Sequence, residues 1–426
     1  MSKSGRREPK SANRARGSAS WKNGPKSRKR RSENVRCVTL SIFILLERKI
    51  KMNLNILLLG LTSLITDVSS EMIMPILPMF IAALGGSAVA VGLIGGLGDA
   101  LAALLNVISG WFSDRIGKRK PIVASGYALS AFSKLLYPFS QTWIHLLILR
   151  PLERTGKGIR DAPRDAIIAR SVRMKARGRG FGIHRALDTL GAILGSVLAF
   201  LFIWIFLLDF RSILWISAFI AFLALIPLVW VRDEPSQTRN IRLLSGILSL
   251  PRKLKLFILL SGIFGLSNFT YMFFILRAQQ VFPETLGVLG PVGLYIIFNL
   301  VYALGSIPAG MLSDRIGRKS VILSGWLLFS LVCFGFTWLQ LQLYFLLFGL
   351  YGLSYALFIG NQRAYVSDLA GRFKGTSLGF FHTISAISTL LGSVVAGVLW
   401  QAISPEATFT WGSLLALIAS IGLVMI

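Results

Sequence analysis

The chain has 426 residues, of which 54% are hydrophobic and 15% charged, yet 46 Lys and Arg against 18 Asp and Glu give a net charge of +28. A soluble nucleic-acid binder can be this basic but would not have a mean hydropathy of +0.66, so the composition indicates a polytopic membrane protein with no nucleic-acid partner. Two isolated cysteines and three histidines exclude a disulfide scaffold and predict neither a metal site nor a cofactor.

The first 51 residues form a basic tail with 16 Lys and Arg against 3 Asp and Glu, a net charge of +13. Its apolar stretch, 37–46, has half the length that spans a bilayer, and charged residues rather than a cleavage site follow it, which argues against a signal peptide. We interpret residues 1–51 as a disordered cytoplasmic tail or an over-extended start before Met52. An electrostatic anchor on anionic lipid is the alternative.

From Asn55 onward, apolar stretches of about 20 residues recur with short breaks, which is the hydropathy pattern of spanning helices. The predicted spans, numbered 1 to 12 in chain order, are 55–82, 90–112, 121–139, 142–166, 178–205, 211–231, 256–280, 287–312, 320–339, 342–366, 375–402 and 406–426. The predicted fold class is therefore an all-α membrane protein with twelve transmembrane helices.

The charges of the connecting loops predict the orientation. Loops after even-numbered spans contain twenty Lys and Arg, whereas loops after odd-numbered spans contain only Arg211. By the positive-inside rule, the even loops and both termini are cytoplasmic. The longest polar break, 232–255, is expected to link an N-terminal six-helix bundle, 52–231, to a C-terminal one, 256–426.

The sequence contains an internal repeat. The segment GWFSDRIGKRKPI begins at Gly110 after span 2, and GMLSDRIGRKSVI begins 200 residues later at Gly310 after span 8. A shorter echo, LGSV, occurs at 194–197 in span 5 and at 391–394 in span 11. Both echoes keep six-span register and the same orientation, so the halves are predicted to be parallel repeats related by an axis along the membrane normal.

Each repeated loop has residues suited to a gate. Asp114 and Asp314 lie at helix ends, where a carboxylate can accept hydrogen bonds from the free amides of a neighbouring helix. A glycine before each Asp allows close helix approach, a glycine after it permits a tight turn, and the basic residues can bridge to acids across the cytoplasmic face. The family resemblance described next implies that such contacts form a cytoplasmic gate, and the residues assigned to it are Gly110, Asp114, Arg115, Gly117, Arg119, Arg160, Arg164, Gly310, Asp314, Arg315, Gly317 and Lys319.

The loop pattern G-x-x-x-D-R-x-G-[RK]-[RK] resembles the signature loop of the major facilitator superfamily, and its second copy is similar to the drug-exporter branch. The resemblance implies two six-helix bundles and a cytoplasmic latch that forms in the outward-facing state and breaks in the inward-facing state. Arg154, four residues before Gly158, resembles the core of the superfamily's helix 4 motif, whose arginine is implicated in proton coupling. Ser196 stands where the helix 5 antiporter motif has proline.

Ionisable groups inside spans cost about 2.5–3.5 kcal/mol each at a helix centre, so each is a functional candidate. Asp67 and Glu71 share a face of span 1, and Pro75 and Pro78 predict a kink after them. The residues assigned to coupling and to the cavity wall are Asp67, Glu71, Asp99, Arg150, Arg154, Arg185, Asp188, Asn268, Tyr271, Arg277 and Asn299. Because charge concentrates in the first half, we expect coupling there and part of substrate recognition in the second half.

Two arginines near the end of span 4 have two candidate sets of partners. Arg160 and Arg164 are expected to pair either with Asp114 or with their own neighbours, Asp161 and Asp165.

The leading functional hypothesis is a monomeric secondary transporter of the cytoplasmic membrane that works by alternating access. Its partners would be protons and a small-molecule substrate, and it would export drug-like or amphiphilic compounds. Uptake or exchange of a small organic anion is the alternative that the buried arginines favour. From other classes, a transporter-like sensor would use the basic tail for output, whereas an enzyme would need a cluster of His, Asp or Ser that the sequence does not show.

Overall fold

The computed structural model describes residues 54–172, 177–233, 250–370 and 374–426, and within these residues every regular element is a helix. The predicted tail, 1–51, lies outside the described residues, as does the linker segment 234–249. The α-helices are α1 (Leu54–Ile73), α2 (Leu77–Ala83), α3 (Ala88–Ile116), α4 (Lys120–Leu136), α5 (Trp143–Arg170), α6 (Arg177–Trp204), α7 (Phe210–Leu223), α8 (Leu225–Leu228), α9 (Arg252–Ser267), α10 (Met272–Gln279), α11 (Leu289–Ile316), α12 (Arg318–Gly335), α13 (Leu341–Leu369), α14 (Lys374–Ala402) and α15 (Pro405–Val424).

Ten helical segments of the described residues are long and apolar enough to cross a membrane, which confirms an all-α membrane protein. The helices α4 and α5 occupy the positions of predicted spans 3 and 4 but are not among these ten. The 17 residues of α4 extend about 26 Å, somewhat less than a typical hydrocarbon core of about 30 Å. The 28 residues of α5 are long enough but strongly charged. The count of twelve spans therefore stays a prediction.

Prolines interrupt two predicted spans. In span 1, α1 ends at Ile73 and α2 begins at Leu77, on either side of Pro75. In span 6, α7 ends at Leu223, four residues before Pro227. Proline lacks an amide donor and its ring clashes with the carbonyl four residues earlier, so both breaks follow from the sequence.

A third interruption, in span 7, has no proline and was not predicted. The chain leaves the helix between α9 and α10, at 268–271. The amide of Thr270 donates to the Ser393 hydroxyl at 3.0 Å, and the Tyr355 hydroxyl donates to the side-chain oxygen of Asn268 at 2.7 Å. Non-helical backbone is tolerated at membrane depth where protein groups satisfy it. Here those groups come from residues 123 and 87 positions away, beyond the reach of local sequence patterns.

The LGSV echo has the same structural role in both bundles. A Cβ atom at Gly195 of α6 would collide with the carbonyl oxygen of Val68 on α1, and one at Gly392 of α14 would collide with that of Leu266 on α9. Small residues let helix backbones approach closely in a membrane, where apolar surfaces alone give little driving force. The repeated glycine therefore fixes the equivalent helix pair in each half.

The bundles meet along two seams. One seam joins α3 to α14 along most of their length: Gly92 lies against the backbone of Ser393, Gly397 lies against Ala88, and Gly379 lies near Val107. The other joins α6 to α11, where the Asn299 amide donates to the Ser196 hydroxyl at 3.1 Å. These seams define the groove between the bundles.

The groove differs at its two ends. We call the end formed by 115–120 and 315–319 the basic end, and the end formed by 83–88 and 280–288 the opposite end. Near the basic end, a Cβ atom at Gly182 of α6 or at Gly310 of α11 would meet no atom within 4 Å. Toward the opposite end, α10 contacts α2 and α3, and the Tyr271 hydroxyl donates to the Met74 carbonyl at 3.0 Å. The α6 and α11 helices are thus free of close contacts at these two glycines near the basic end, whereas the bundles are in direct contact toward the opposite end.

Replacing Gly397 by Ala tests the α3–α14 seam. We expect the added methyl group to force the two backbones apart and to lower stability by about 1–3 kcal/mol, measured as a fall in the melting temperature of purified protein in detergent. Gly349→Ala is the matched control, because a Cβ atom there meets nothing within 4 Å. Equal melting temperatures for the two variants would show that the seam is not tightly packed.

Candidate functional site

The centre of the candidate site is a pair of acids, Asp67 on α1 and Asp188 on α6. Their carboxyl groups lie within hydrogen-bonding reach of each other. The helices approach this closely because Gly191 and Gly195 place no side chain between α6 and the α1 backbone. Both acids were sequence candidates, but their contact was not predicted because it depends on how α1 and α6 pack.

The two carboxyl groups have different partners. Asp188 accepts hydrogen bonds from the Ser63 hydroxyl at 2.7 Å and from the Arg185 guanidinium at 2.8 Å. Within the described part of the chain, Asp67 forms no ion pair closer than 4 Å, and the charges that act on it besides Asp188 include Lys157 and Arg160 on α5. Donors therefore hold Asp188, whereas the main partner of Asp67 is the other acid.

The charges at the middle of α5 are paired inside the first bundle. Arg154 donates to Asp99 on α3 at 3.0 and 2.5 Å. Arg150 donates to Glu153 at 2.7 Å, and both of these side chains are buried. Two of the predicted candidates, Arg154 and Asp99, thus form an ion pair between α5 and α3. Arg150 is enclosed by protein rather than exposed on a cavity wall.

The structure selects between the two pairings predicted for Arg160 and Arg164. Arg164 binds Asp161 at 3.2 Å and Asp165 at 3.1 Å. Arg160 lies 4.3 Å from the centroid of the Tyr127 ring and donates to a serine hydroxyl on α4 at 2.8 Å. Neither arginine contacts Asp114. In this conformation they belong to the interior network of the first bundle, as the pairing with their own neighbours predicted, and a role in the gate stays a prediction.

Sequence analysis missed Lys134 on α4. Its side chain is 1% exposed, and its ammonium group donates to the hydroxyls of Ser69 and Ser70 on α1 at 2.9 and 2.8 Å. Ser69 in turn contacts Ser217 on α7 at 3.0 Å. A lysine in the apolar span 121–139 was the available signal. This lysine joins α1 and α4 beside the acid pair.

Polar contacts to the second bundle line the closed part of the groove. The Tyr295 hydroxyl of α11 donates to the Glu71 carboxylate of α1 at 3.0 Å. Asn299, one turn further along α11, contacts Ser196. Together with Tyr271 and Asn268 near the helix break, these side chains bring the predicted wall residues of both bundles together.

Arg277 is enclosed by protein in this conformation, and its assignment to the cavity wall stays a prediction. Its guanidinium is buried and donates to the carbonyls of Phe336 at 3.0 Å and Thr337 at 3.1 Å and to Glu406 at 2.5 Å. The helix break at 268–271 redirects α10, so Arg277 reaches the end of α12, whose last carbonyls have no partner within that helix. Arg277 therefore ties three helices of the second bundle together near the opposite end.

In the first gate loop, Asp233 makes the contact with backbone amides that was predicted for Asp114. Asp114 accepts a hydrogen bond from the Arg119 side chain at 2.7 Å rather than from backbone amides. Asp233, beyond α8, accepts from the amides of Arg119 and Lys120 at 2.6 and 2.8 Å. The predicted carboxylate–amide contact is thus made by Asp233, because Asp114 in the last turn of α3 faces the arginine instead. Arg115 lies 5.5 Å from the Trp111 ring centroid.

The second gate loop is bound within the second bundle. Arg318 pairs with Asp314 at 3.4 Å and with Asp368 at 2.5 Å. Lys319 donates to the Val424 carbonyl at 3.2 Å, and Arg315 is exposed. Among the described residues, the ion pairs at the basic end stay inside one bundle or the other.

The gate glycines differ in their surroundings. Gly117 and Gly317 have φ values of +74° and +92°, the region that favours glycine, so both loops need it for their tight turns. A Cβ atom at Gly110 would contact Ala162, but one at Gly310 would meet nothing within 4 Å. The expected close helix approach at Gly310 is therefore absent in this conformation.

The sequence model of the Major Facilitator Superfamily matches residues 59–299 and 283–426. The chain belongs to this superfamily. An uncharacterised MFS-type transporter of Methanocaldococcus jannaschii is 50% identical over 378 residues, which are 87% of this chain and 94% of the relative. The multidrug resistance protein MdtH of Aeromonas hydrophila is 25% identical over 237 residues, 54% of this chain and 58% of the relative.

A crystal structure of the nucleoside transporter NupG superposes with a TM-score of 0.75 at 16% identity, covering 88% of this chain and 99% of that one. At this identity the likeness shows the fold alone, which is the major facilitator fold. Family membership makes the protein an integral membrane transporter of small molecules rather than an enzyme.

Replacing Arg277 by Leu tests its structural role. We expect a loss of about 2–3 kcal/mol, seen as a lower melting temperature in detergent, because the carbonyls of Phe336 and Thr337 lose their donor. Glu406→Gln should cost less, since the Glu406 side chain is 43% exposed and water can replace part of the contact. An Arg277→Leu variant as stable as the unmodified protein would contradict this structural role.

Proposed function

We propose that the protein is a proton-linked secondary transporter that works by alternating access, with its proton site at Asp67 and Asp188. The contact between these two acids is the observation that carries the proposal. Two carboxyl groups form a hydrogen bond only when one of them holds a proton, since two carboxylates side by side repel each other. Ser63 and Arg185 already donate to Asp188 and favour its charged form, so the proton belongs on Asp67.

The groups around Asp67 can favour either its protonated or its charged form. Asp188 on α6 and the cations Lys157 and Arg160 on α5 act on it directly, and Lys134 and Arg185 lie within electrostatic range. A movement of α6 against α1 or α5 changes the distances among these groups and therefore the affinity for the proton. Such a link between helix position and proton occupancy is what coupling requires.

We infer that the groove is open at its basic end and that this end faces the cytoplasm. The basic loops lie at this end, and the positive-inside rule assigns them, with both termini, to the cytoplasmic side of the cytoplasmic membrane. The conformation is then inward-facing. The gate ion pairs that stay within single bundles agree with a latch that joins the bundles only in the outward-facing state.

The proposed domain organisation keeps the boundaries derived from the sequence. Two bundles, 52–231 and 256–426, form one monomeric transport unit joined by a cytoplasmic linker, and the tail 1–51 is not needed for transport. Removing residues 2–51 tests the tail. Unchanged activity of the shortened protein would contradict a sensor that signals through the tail.

We propose export of amphiphilic compounds as the direction of transport. Support comes from the second copy of the gate loop and from the relative named as a multidrug resistance protein. The second candidate is uptake or exchange of an organic anion, which is favoured by Arg363 on α13, an exposed arginine that faces the groove. The sign of the response to a pH gradient separates export from uptake.

Asp67→Asn tests the proton site in proteoliposomes with an imposed pH gradient. Asparagine cannot release a proton, so we expect gradient-driven flux of a transported compound to fall at least tenfold while exchange without a gradient continues. Antiport accumulates the compound in vesicles with an acidic lumen, whereas symport accumulates it in vesicles with an alkaline lumen.

Asp209→Asn is the matched control for this experiment. Asp209 is an exposed acid at the start of α7 that accepts from the Ser212 amide at 3.2 Å, and asparagine can make the same contact. It should retain normal gradient-driven flux. If Asp67→Asn also retains it, the proton site lies elsewhere.

A further inference from the structure

Two cations that face the groove have no counter-ion. Arg363 on α13 and Lys157 on α5 form neither an ion pair nor a side-chain hydrogen bond in the parts of the chain that the structure describes. Arg363 is nonetheless an arginine six residues inside the end of a membrane-spanning helix. Placing a charged side chain within a membrane span costs free energy, so a charged residue at such a position is a functional candidate.

The neighbours of Arg363 come from four helices around the groove. The groups that act electrostatically on Arg363 are Tyr302 on α11, Arg185 on α6, and Asp161 and Asp165 on α5. The charge of Arg363 in turn acts on His382 on α14. These groups belong to both bundles. Arg363 therefore points into the space between the bundles rather than toward lipid.

The acids near Arg363 are already engaged. Asp161 and Asp165 are bound by Arg164 at 3.2 and 3.1 Å, and Asp188 is bound by Arg185. Arg363 has a second cation, Arg185, among its electrostatic neighbours, and Arg185 also pairs with Asp188 at 2.8 Å. Like charges repel, and an anion between the two arginines lowers this repulsion and accepts hydrogen bonds from both guanidinium groups.

An aromatic surface lies beside these arginines. Tyr302 is an electrostatic neighbour of both Arg185 and Arg363. The Tyr302 ring is 6.1 Å from that of Phe298 and 6.2 Å from that of Tyr355, measured between centroids. A substrate whose anionic group lay between the arginines would place its body against these rings.

We propose that Arg363 and Arg185 form the binding site for the anionic group of an aromatic or otherwise apolar substrate, with Tyr302 and Tyr355 beside its body. Carboxylates, sulfonates and phosphates share the required chemistry, because each offers two or more oxygens to a guanidinium group. This inference rests on the proposed transport function and names the substrate class for that groove.

Binding of a matched set of probes to purified protein in detergent tests the site without a pH gradient. The probes share a naphthalene ring and carry a sulfonate, a neutral hydroxymethyl group or a trimethylammonium group. We expect the sulfonate to bind most tightly. Arg363→Gln should weaken its binding about tenfold or more, and Arg363→Lys should retain part of the affinity, since the charge remains but the planar fork is lost.

The controls separate a binding role from a structural one. Arg252→Gln removes an exposed arginine at the start of α9 and should leave sulfonate binding unchanged. Arg363→Gln should melt at the temperature of the unmodified protein, because Arg363 has no partner to lose within the described residues. Arg185→Gln gives a second variant, which should also weaken sulfonate binding.

Equal binding of the three probes, or unchanged sulfonate binding in both Arg363→Gln and Arg185→Gln, would overturn the anion site. That result would leave the proton proposal intact if Asp67→Asn still abolished gradient-driven flux of another compound. Conversely, sulfonate binding that depends on Arg363 would uphold the anion site even if Asp67→Asn left flux unchanged.

Discussion

The absence of water in the bilayer core is the constraint on which the rest of this structure depends. Every charge and every free backbone group between the helices must find a partner inside the protein. Arg277 meets this demand with the carbonyls at the end of α12, Lys134 with two serine hydroxyls, and the broken helix at 268–271 with Ser393 and Tyr355. The same polar contacts therefore contribute to both stability and function. A charged group without a partner inside the protein is a candidate for binding a ligand.

Glycine determines where those contacts form. Gly191 and Gly195 bring α6 onto α1, and this approach places Asp188 against Asp67. The equivalent glycine in the second bundle brings α14 onto α9, where the neighbouring serine satisfies the broken helix. One repeated sequence element thus creates an acid pair in one bundle and supports an interrupted helix in the other. Duplication supplied the scaffold, and later divergence gave each copy its own chemistry.

Local sequence patterns predicted what depends on neighbouring residues. Hydropathy located the helices, Pro75 and Pro78 predicted the break in span 1, and Gly117 and Gly317 marked the tight turns. The break at 268–271 escaped prediction because its partners lie 87 and 123 residues away. The partners of Arg277 escaped prediction for the same reason, since its side chain follows a helix that the break redirects. Buried charge identified Asp67 and Asp188 as candidates, but only the packing of α6 on α1 shows that they meet.

The two seams between the bundles are unequal, and this inequality has a mechanical consequence. Glycines hold α3 against α14 from Ala88 to Val107, whereas α6 and α11 separate before they reach the basic end. In the proposed alternating access, a rotation of the bundles about the α3–α14 seam would change the width of the groove most at α6 and α11. Asp188 and Arg185 both lie on α6. The largest displacement would therefore fall on the helix that carries part of the proposed proton site and part of the proposed anion site.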